Sequence, residues 1–250
     1  MSAQTNTAIV TGASGGLGLA TAGAFLKHGF NVVMNGSDAD RLGAAHESLG
    51  SPPAAATVVG DVGEAVSRGR LIDAALSRFG RIDVLVNNAG IFSPRRFLEV
   101  DEDFLDGFLT TNLKGTFFLS QAAVPHMRDA GGGAIVNIGT VLVDHAIGGV
   151  PATAAIASKG AIHALTVQLA AEFGKDNIRV NTVAPGIVRT PLHARNGIDD
   201  ADSLSGLHLV DRIGEPDEVA STVVQVATNG FISGATINVD GGHVADHHLG

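Results

Sequence analysis

The chain has 250 residues, of which 45% are apolar and only 16% are charged, and its net charge is −9 at pH 7. This length suits a single α/β domain over residues 1–250. The acidic balance argues against a nucleic-acid partner, which needs a basic surface, and the apolar runs are too short for a membrane span. The sequence contains no cysteine, which excludes disulfides, thiol catalysis and thiolate metal sites.

The low charge content indicates a surface that other copies of the chain partly cover. Soluble domains carry about 25% charged residues, so a homo-oligomer is expected. The first predicted strand follows the N-terminus without the basic segment that begins a signal peptide, and a cytoplasmic location is therefore expected.

Short apolar runs alternate with longer helical patterns, which is typical of a parallel sheet covered on both faces. The predicted strands are Thr7–Val10, Asn31–Met34, Ala56–Val59, Val84–Val86, Ala134–Ile138, Arg179–Val183 and Thr236–Val239. The helical stretches include Gly16–His28, Val62–Phe79, Asp101–Arg128 and a segment from Thr153 to about Phe173. The long irregular connection Pro185–Gly214 predicts a substrate lid around residues 186–214.

A glycine-rich segment, Thr11–Gly18, lies between the first predicted strand and the first predicted helix. Glycines allow the backbone to turn sharply and approach a pyrophosphate, while a helix N-terminus supplies free N–H groups and partial positive charge. This position makes the segment a strong indicator of dinucleotide binding. The predicted ligands in it are Gly12, Ser14, Gly16, Leu17 and Gly18.

The residues after the second strand favour NADP(H) over NAD(H). The adenosine ribose is expected about 20 residues beyond the glycine-rich turn. There Gly36 stands instead of an acid, and the Ser37 hydroxyl can bond a 2′-phosphate. Arg41 adds positive charge, whereas Asp38 supports NAD(H), because its carboxylate can reach a ribose hydroxyl and repels a phosphate. The predicted adenine contacts, at the end of the third strand, are Asp61 and Val62.

With further motifs, these features make the chain resemble the short-chain dehydrogenase/reductase family over essentially its whole length. The matching pieces are Thr11–Gly18, Asp61-Val62, Asn87-Asn88-Ala89-Gly90, Asn112, Ser158-Lys159, Pro185-Gly186 with Thr190, and Asp240-Gly241-Gly242. The resemblance implies a Rossmann-like, doubly wound sheet of seven mainly parallel strands, a nicotinamide cofactor, a small-molecule substrate, and a tetramer or dimer. The cofactor contacts that it implies are Asn88, Ala89 and Gly90 at the ribose, and Pro185, Gly186, Val188 and Thr190 at the nicotinamide carboxamide.

One catalytic position departs from the family pattern. Family members protonate the developing alkoxide with a tyrosine one helical turn before a lysine, but this chain contains no tyrosine, and Ala155 stands there. The resemblance implies that Lys159 lowers the pKa of that tyrosine and binds the ribose, and that Asn112 holds a water linked to the lysine. Thr140 occupies the position of the serine that polarises the substrate oxygen.

The loop Val141–Ala154 is longer than is usual in the family and contains a candidate replacement acid. An imidazole with a pKa of about 6.5 can act as an acid or a base near neutral pH. His145 is therefore predicted to be catalytic, with simple solvent exposure as the alternative. Thr153 is a weaker acid without an activating neighbour.

The remaining histidines carry less weight. His193, at the start of the predicted lid, can face the substrate, and His163 is expected to be packed rather than reactive. His243, His247 and His248 can bind a metal, but an unstructured tail is favoured, and no metal site is predicted.

Three functions remain open at this point. The leading one is an NAD(P)(H)-dependent oxidoreductase that interconverts a carbonyl and an alcohol with an altered proton donor. The alternatives are a non-catalytic nucleotide-binding protein, which Ala155 favours, and a lyase or isomerase, which rests on Asp144, His145 and His193. Because one fold hosts many functions, only the site can decide.

Overall fold

The computed structural model describes residues 5–245, which contain a seven-stranded sheet. Its strands are β1 Thr7–Val10, β2 Asn31–Gly36, β3 Ala55–Val59, β4 Val84–Asn87, β5 Gly133–Ile138, β6 Ile178–Pro185 and β7 Thr236–Val239. The spatial order is β3-β2-β1-β4-β5-β6-β7, and every neighbouring pair is parallel. The predicted doubly wound, Rossmann-like fold is confirmed, and each predicted strand lies within an observed one.

Helices cover both faces of this sheet. They are α1 Gly16–Lys27, α2 Ala39–Ser48, α3 Ala65–Phe79, α4 Glu102–Phe108, α5 Gly115–Asp129, α6 Thr153–Phe173, α7 Leu192–Arg195 and α8 Pro216–Thr228. Within residues 5–245, none of the helices combines the length and the apolar character that crossing a membrane requires.

The alternation of side chains along the strands divides the core into two layers. In β1, Ala8 and Val10 pack in the layer under α1 and α8, whereas Ile9 packs in the layer under α3 and α5. Because both faces are buried in the central strands β1, β4 and β5, these strands are nearly continuous apolar runs, as expected for parallel strands covered on both sides.

A chain of buried polar side chains crosses the centre of the sheet. Asn87 Nδ2 donates to Ser120 Oγ and to Asn137 Oδ1, and Asn137 Nδ2 donates to Thr166 Oγ1 at 2.9 Å. The Thr166 hydroxyl is in turn 2.7 Å from the Thr182 hydroxyl. These bonds link β4, β5, β6, α5 and α6, and an interrupted chain would leave buried groups unpaired at a cost of about 1–3 kcal/mol each.

Two predicted helices differ in detail from the observed ones. The stretch predicted over Asp101–Arg128 is helical, but a π turn at Leu109–Lys114 separates α4 from α5, and Asp101 caps α4 by accepting from Phe104 N at 2.8 Å. The helix predicted from Val62 begins instead at Ala65, because the Asp61 carboxylate accepts from Gly63 N at 2.8 Å and forms a turn.

The predicted lid is more ordered than an irregular connection. It contains α7 and a 3₁₀ helix at Ala201–Leu207, and Val188 forms a bridge with Gly214. The Arg189 guanidinium forks onto the Asp202 carboxylate and also bonds Glu215 at 2.9 Å. Ion pairs between exposed side chains thus hold the 3₁₀ helix and the start of α8 to the loop after β6.

Candidate active site

The site begins where β1 and β4 lie side by side, because the chain leaves these two strands in opposite directions along the sheet. The Thr11 hydroxyl accepts from Asn88 N at 3.0 Å and from Ala89 N at 2.9 Å. Asn88 Nδ2 donates back to Thr11 O at 2.8 Å. The side chains of Thr11 and Asn88 therefore fasten the glycine-rich turn to the Asn88-Ala89-Gly90 segment and fix the floor of the crevice between them.

The glycine-rich turn requires its glycines. Gly12 and Gly16 have positive φ angles of 66° and 52°, and a Cβ on Gly18 would collide with the carbonyl oxygen of Gly12. The first turn of α1 contains no acidic residue, so its N–H groups and the positive end of its dipole can receive an anion. The predicted dinucleotide end is thus sterically and electrostatically suited to a pyrophosphate.

An orphaned hydroxyl lies beside this turn. The Ser14 Oγ atom is buried and has no hydrogen-bond partner among residues 5–245. It occupies the space that a Cβ on Gly36 would fill, so Gly36 leaves room for Ser14. A buried hydroxyl without a partner is costly, and a bound phosphate or ribose oxygen is the kind of group that would satisfy it.

Asp38, the acidic residue that supports NAD(H) binding in the sequence prediction, lies at the start of α2. Asp38 is the N-cap of α2, where its side chain accepts from Arg41 N at 2.9 Å and lies 3.2 Å from Arg41 Nε. The Arg41 backbone N–H, and then its charge, lower the pKa of Asp38. Ser37 is exposed and unobstructed, whereas the Asp38 carboxylate is committed to the helix start.

At the opposite end of the crevice, Asn112 and Lys159 converge on Gly90. A Cβ on Gly90 would lie 3.2 Å from Asn112 Oδ1 and 3.4 Å from Lys159 Nζ. Asn112 lies in the π turn, where its amide accepts from Ile91 N at 2.8 Å and donates to Ser158 Oγ at 2.9 Å. π turns occur frequently at functional sites, and this one presents Asn112 to the loop after β4.

Lys159 is held at the end of β5. Its Nζ donates to Ile138 O at 2.5 Å, and although part of the side chain remains accessible, burial lowers the pKa of the ammonium group to about 8. Thr140 stands two residues beyond Ile138, and its hydroxyl accepts from Leu142 N at 3.3 Å. Lys159 of α6 and Thr140 therefore lie at the end of β5 and just beyond it, while Asn112 contacts the loop after β4.

Ala155 is enclosed rather than open to the crevice. It is 3% exposed and belongs to a small apolar cluster with Phe108 and Ala154, against which Phe92, Phe104 and Leu105 also pack. Apolar side chains thus surround the position at which the family resemblance implies a tyrosine.

His145 is half-buried and turned toward two histidines from distant parts of the chain. Its ring centroid lies 5.2 Å from that of His243, which lies 5.8 Å from that of His208. His243 is buried, and its Nδ1 donates to Leu207 O at 2.9 Å, so the prediction of an unstructured tail is wrong for this residue. His247 and His248 lie outside the described residues.

His208 contacts the turn on the predicted nicotinamide side of the site. Its Nε2 accepts from Ile187 N at 3.1 Å, which requires a neutral ring with the proton on Nδ1, and burial lowers its pKa. A Cβ on Gly186 would lie 3.0 Å from this nitrogen. His208 therefore holds the turn that contains Gly186, and its position 21 residues away in sequence gave no signal of this contact.

The predicted lid lies against the glycine-rich turn. A Cβ on Gly16 would lie 3.3 Å from Thr190 Cγ2, so the two predicted cofactor segments face each other. His193 Nε2 is 2.8 Å from Val188 O and is used to bond the lid backbone. Val188 itself is buried in the core.

The loop after β5 and the start of α6 line an open, mainly apolar cavity of about 360 Å³. Its lining residues include Leu142, Ile147, Val150, Thr153 and Ile156. In the described part of the chain, His, Asp and Glu side chains form no group of three or more that suits a metal ion.

The comparisons with known proteins agree along the whole chain. A family model described as Enoyl-(Acyl carrier protein) reductase matches residues 12–244. The chain is 33% identical, over 97% of its length and 98% of the relative, to (2S)-[(R)-hydroxy(phenyl)methyl]succinyl-CoA dehydrogenase subunit BbsD of Thauera aromatica. It is 36% identical to D-threitol dehydrogenase of Mycolicibacterium smegmatis, over 94% of this chain and 92% of the relative.

Among solved structures, the chain is similar to 3-ketoacyl-(acyl-carrier-protein) reductase from Brucella melitensis complexed with NADH. The TM-score is 0.88 at 26% identity, and the match covers 96% of this chain and 98% of the other.

The buried ammonium group of Lys159 predicts a specific pH dependence of folding. Its pKa is about 8 in the folded chain against 10.5 in the unfolded chain. The unfolded chain therefore binds more protons between these values, and stability rises with pH there, by at most about 3 kcal/mol. Urea unfolding followed by circular dichroism should show this rise in the wild type and lose it in Lys159→Met. Lys175→Met, at an exposed position, should keep it; equal slopes for all three proteins would contradict the prediction.

Proposed function

Because the chain belongs to the short-chain dehydrogenase/reductase family, we propose that it is an NAD(P)(H)-dependent oxidoreductase that interconverts a carbonyl and an alcohol on a small molecule, with an atypical proton donor. The observation that carries this proposal is the convergence of Asn112 and Lys159 on Gly90, at the end of a crevice whose other end suits a pyrophosphate. The residues proposed to hold the dinucleotide are those predicted from the sequence, from Gly12 to Thr190.

We propose NADP(H) as the preferred cofactor. Ser37 is exposed beside the crevice, and the pairing of Asp38 with Arg41 partly offsets the negative charge that would otherwise repel a 2′-phosphate. At the adenine end, Asp61 is exposed after β3, while the Val62 side chain is buried against Gly115, so a contact from Val62 would come from its backbone.

Calorimetry with the four nicotinamide dinucleotides should give tighter binding of NADP(H) than of NAD(H). Ser37→Asp should reverse this order by charge repulsion, and Ser37→Ala, the matched neutral change, should only reduce it. Position 36 is unsuited to this test, because any side chain there meets Ser14 Oγ. Wild-type protein that binds NAD(H) equally well or better would assign the ribose to Asp38.

Because the chain has no tyrosine, other groups of the site are proposed to carry out the acid–base chemistry. A nicotinamide dinucleotide, when bound, would supply or accept the hydride. The Thr140 hydroxyl orients the substrate oxygen, and Lys159, with a pKa of about 8, can release or take up a proton near neutral pH through a water held beside Asn112. His145 is the second proposed donor. The apolar cavity next to the loop at Leu142 favours a substrate with an apolar portion.

Restoring the phenol tests the altered donor. Ala155→Tyr should increase turnover of alcohols or ketones, within the range of about a hundred- to ten-thousand-fold that general acid–base groups contribute. Because Ala155 is packed against Phe108, the larger ring should also cost about 1–3 kcal/mol of stability. Ala155→Phe is the matched control: it adds the same ring without the hydroxyl, so it should be destabilised similarly without the gain in turnover. Equal turnover in the two variants would contradict a missing-donor explanation.

The enclosure of Ala155 by aromatic side chains also favours a second candidate, a non-catalytic nucleotide-binding protein. That function would show dinucleotide binding with no turnover by either the wild type or Ala155→Tyr. If instead the wild type already turns over one substrate rapidly and His145→Ala abolishes this, the site has been rebuilt around His145.

We also propose a cytoplasmic homo-oligomer, a tetramer or a dimer. Phe117 and Phe118 on α5 are each 42% exposed, and Val167 on α6 is 58% exposed, so these two helices carry apolar surface and are proposed to form one interface. The edge strand β7 has one unpaired side and is proposed to lie near another interface.

Light scattering at micromolar concentration should give a multiple of the 25.4 kDa chain mass. Val167→Lys should lower this mass, because a lysine would be buried in the interface. Val66→Lys, at a 72% exposed position on α3, should leave it unchanged. A wild-type protein with the mass of one chain would refute the proposed assembly.

A further inference from the structure

His163 lies one helical turn beyond Lys159 on the same face of α6, and both side chains reach the end of β5. Lys159 Nζ bonds Ile138 O at 2.5 Å, and His163 packs against the next residue, Gly139. Thr140 follows directly. The three-residue segment Ile138–Thr140, called here the β5 turn, is thus contacted by a lysine and a histidine from one helix.

His163 packs closely against the β5 turn. A Cβ on Gly139 would lie 2.6 Å from both His163 Nε2 and Thr182 Cγ2. The backbone at Gly139 is fixed from the other side, because its N–H donates to Val183 O at 2.8 Å. The His163 Nε2 atom is buried and, within residues 5–245, has no hydrogen-bond partner.

The charges around His163 are few. Lys159 faces it from its own helix, and Asp144 acts on it from the loop after β5, whereas Gly139 and Thr182 are neutral. Burial is the largest influence and lowers the pKa of His163; Asp144 raises it and Lys159 lowers it, with a net lowering from 6.5. A proton on His163 would place a second cation one turn from the Lys159 ammonium, and like charges at this spacing repel.

We propose that His163 is a positioning residue: as a neutral imidazole it supports the β5 turn on which Lys159 and Thr140 depend, and its protonation displaces that turn. The imidazolium would have no acceptor at Nε2, which is buried against Gly139, and a charge held there carries a desolvation penalty. It would move toward Asp144 and solvent, and the contact that holds Gly139 would be lost.

The consequence is a loss of site order as the solution is acidified. Because the folded-state pKa of His163 lies below 6.5, the ordered turn is complete at pH 7 and is lost as the pH falls through that folded-state value. This inference rests on the proposed function only for its effect on dinucleotide binding; the coupling of His163 to the turn does not depend on it.

NMR of the protein without any ligand tests the coupling. The His163 ring and the Gly139 amide should titrate with one common midpoint below pH 6.5. His163→Gln and His163→Leu should each abolish the Gly139 titration. Two variants are used so that the test still holds if one of them does not fold. His46→Gln, which removes another histidine with a buried unpartnered Nε2, and His145→Gln should both retain it. A Gly139 amide that does not titrate, or that still titrates in both His163 variants, would overturn the proposal.

A measurement of dinucleotide binding tests the effect of His163 on function. NAD⁺ is the probe, because it lacks the 2′-phosphate, which itself titrates near pH 6. Its dissociation constant should rise by at most about fivefold between pH 7.5 and pH 5.5, which is the effect of one unit of pKa difference between free and bound protein when the free-protein pKa lies below 6.5, and this rise should be smaller in His163→Gln. A rise of undiminished size in His163→Gln would count against the proposal, because the pH dependence would then belong to other groups, such as His208. If the wild type binds no dinucleotide at any pH, the proposed function fails, while the Gly139 titration still decides the role of His163.

Discussion

The site depends on the parallel pairing of the strands, because this pairing brings the carboxyl ends of all seven strands to one edge of the sheet. The loops after β1, β4, β5 and β6 must leave from that edge, so residues far apart in sequence meet there. Thr11 and Asn88, 77 residues apart, form reciprocal bonds across the crevice. The glycine-rich turn can then offer its N–H groups to an anion, and the loop after β4 can receive Asn112 and Lys159.

Buried polar side chains lie at the centre of the sheet, below this edge. The amides of Asn87 and Asn137 and the hydroxyls of Thr166 and Thr182 satisfy one another in a fully buried chain. A satisfied network of this kind fixes the relative positions of strands and helices more narrowly than apolar packing does. The position of Lys159 depends on it, since α6 contributes both Thr166 and the lysine.

The unusual feature is the combination of a desolvated lysine with an apolar cluster where a phenol is expected. Lys159 is bonded to Ile138 O, and Ala155 is packed with Phe108, so no residue on α6 projects a hydroxyl toward the crevice at that position. Relatives with similar sequences are named for a CoA thioester, a polyol and an acyl-carrier-protein substrate.

The sequence by itself determined the strands, the glycine-rich turn and the family, because each of these rests on local patterns: apolar runs, residue spacing and backbone conformations that only glycine adopts readily. It did not determine the π turn that presents Asn112, since that depends on packing against the loop after β4. Nor did it indicate that His208 and His243 are buried, or that His163 packs against Gly139. Tertiary structure decided these contacts, because each joins elements whose separation in space is set by the assembled sheet rather than by the residues nearby in the chain.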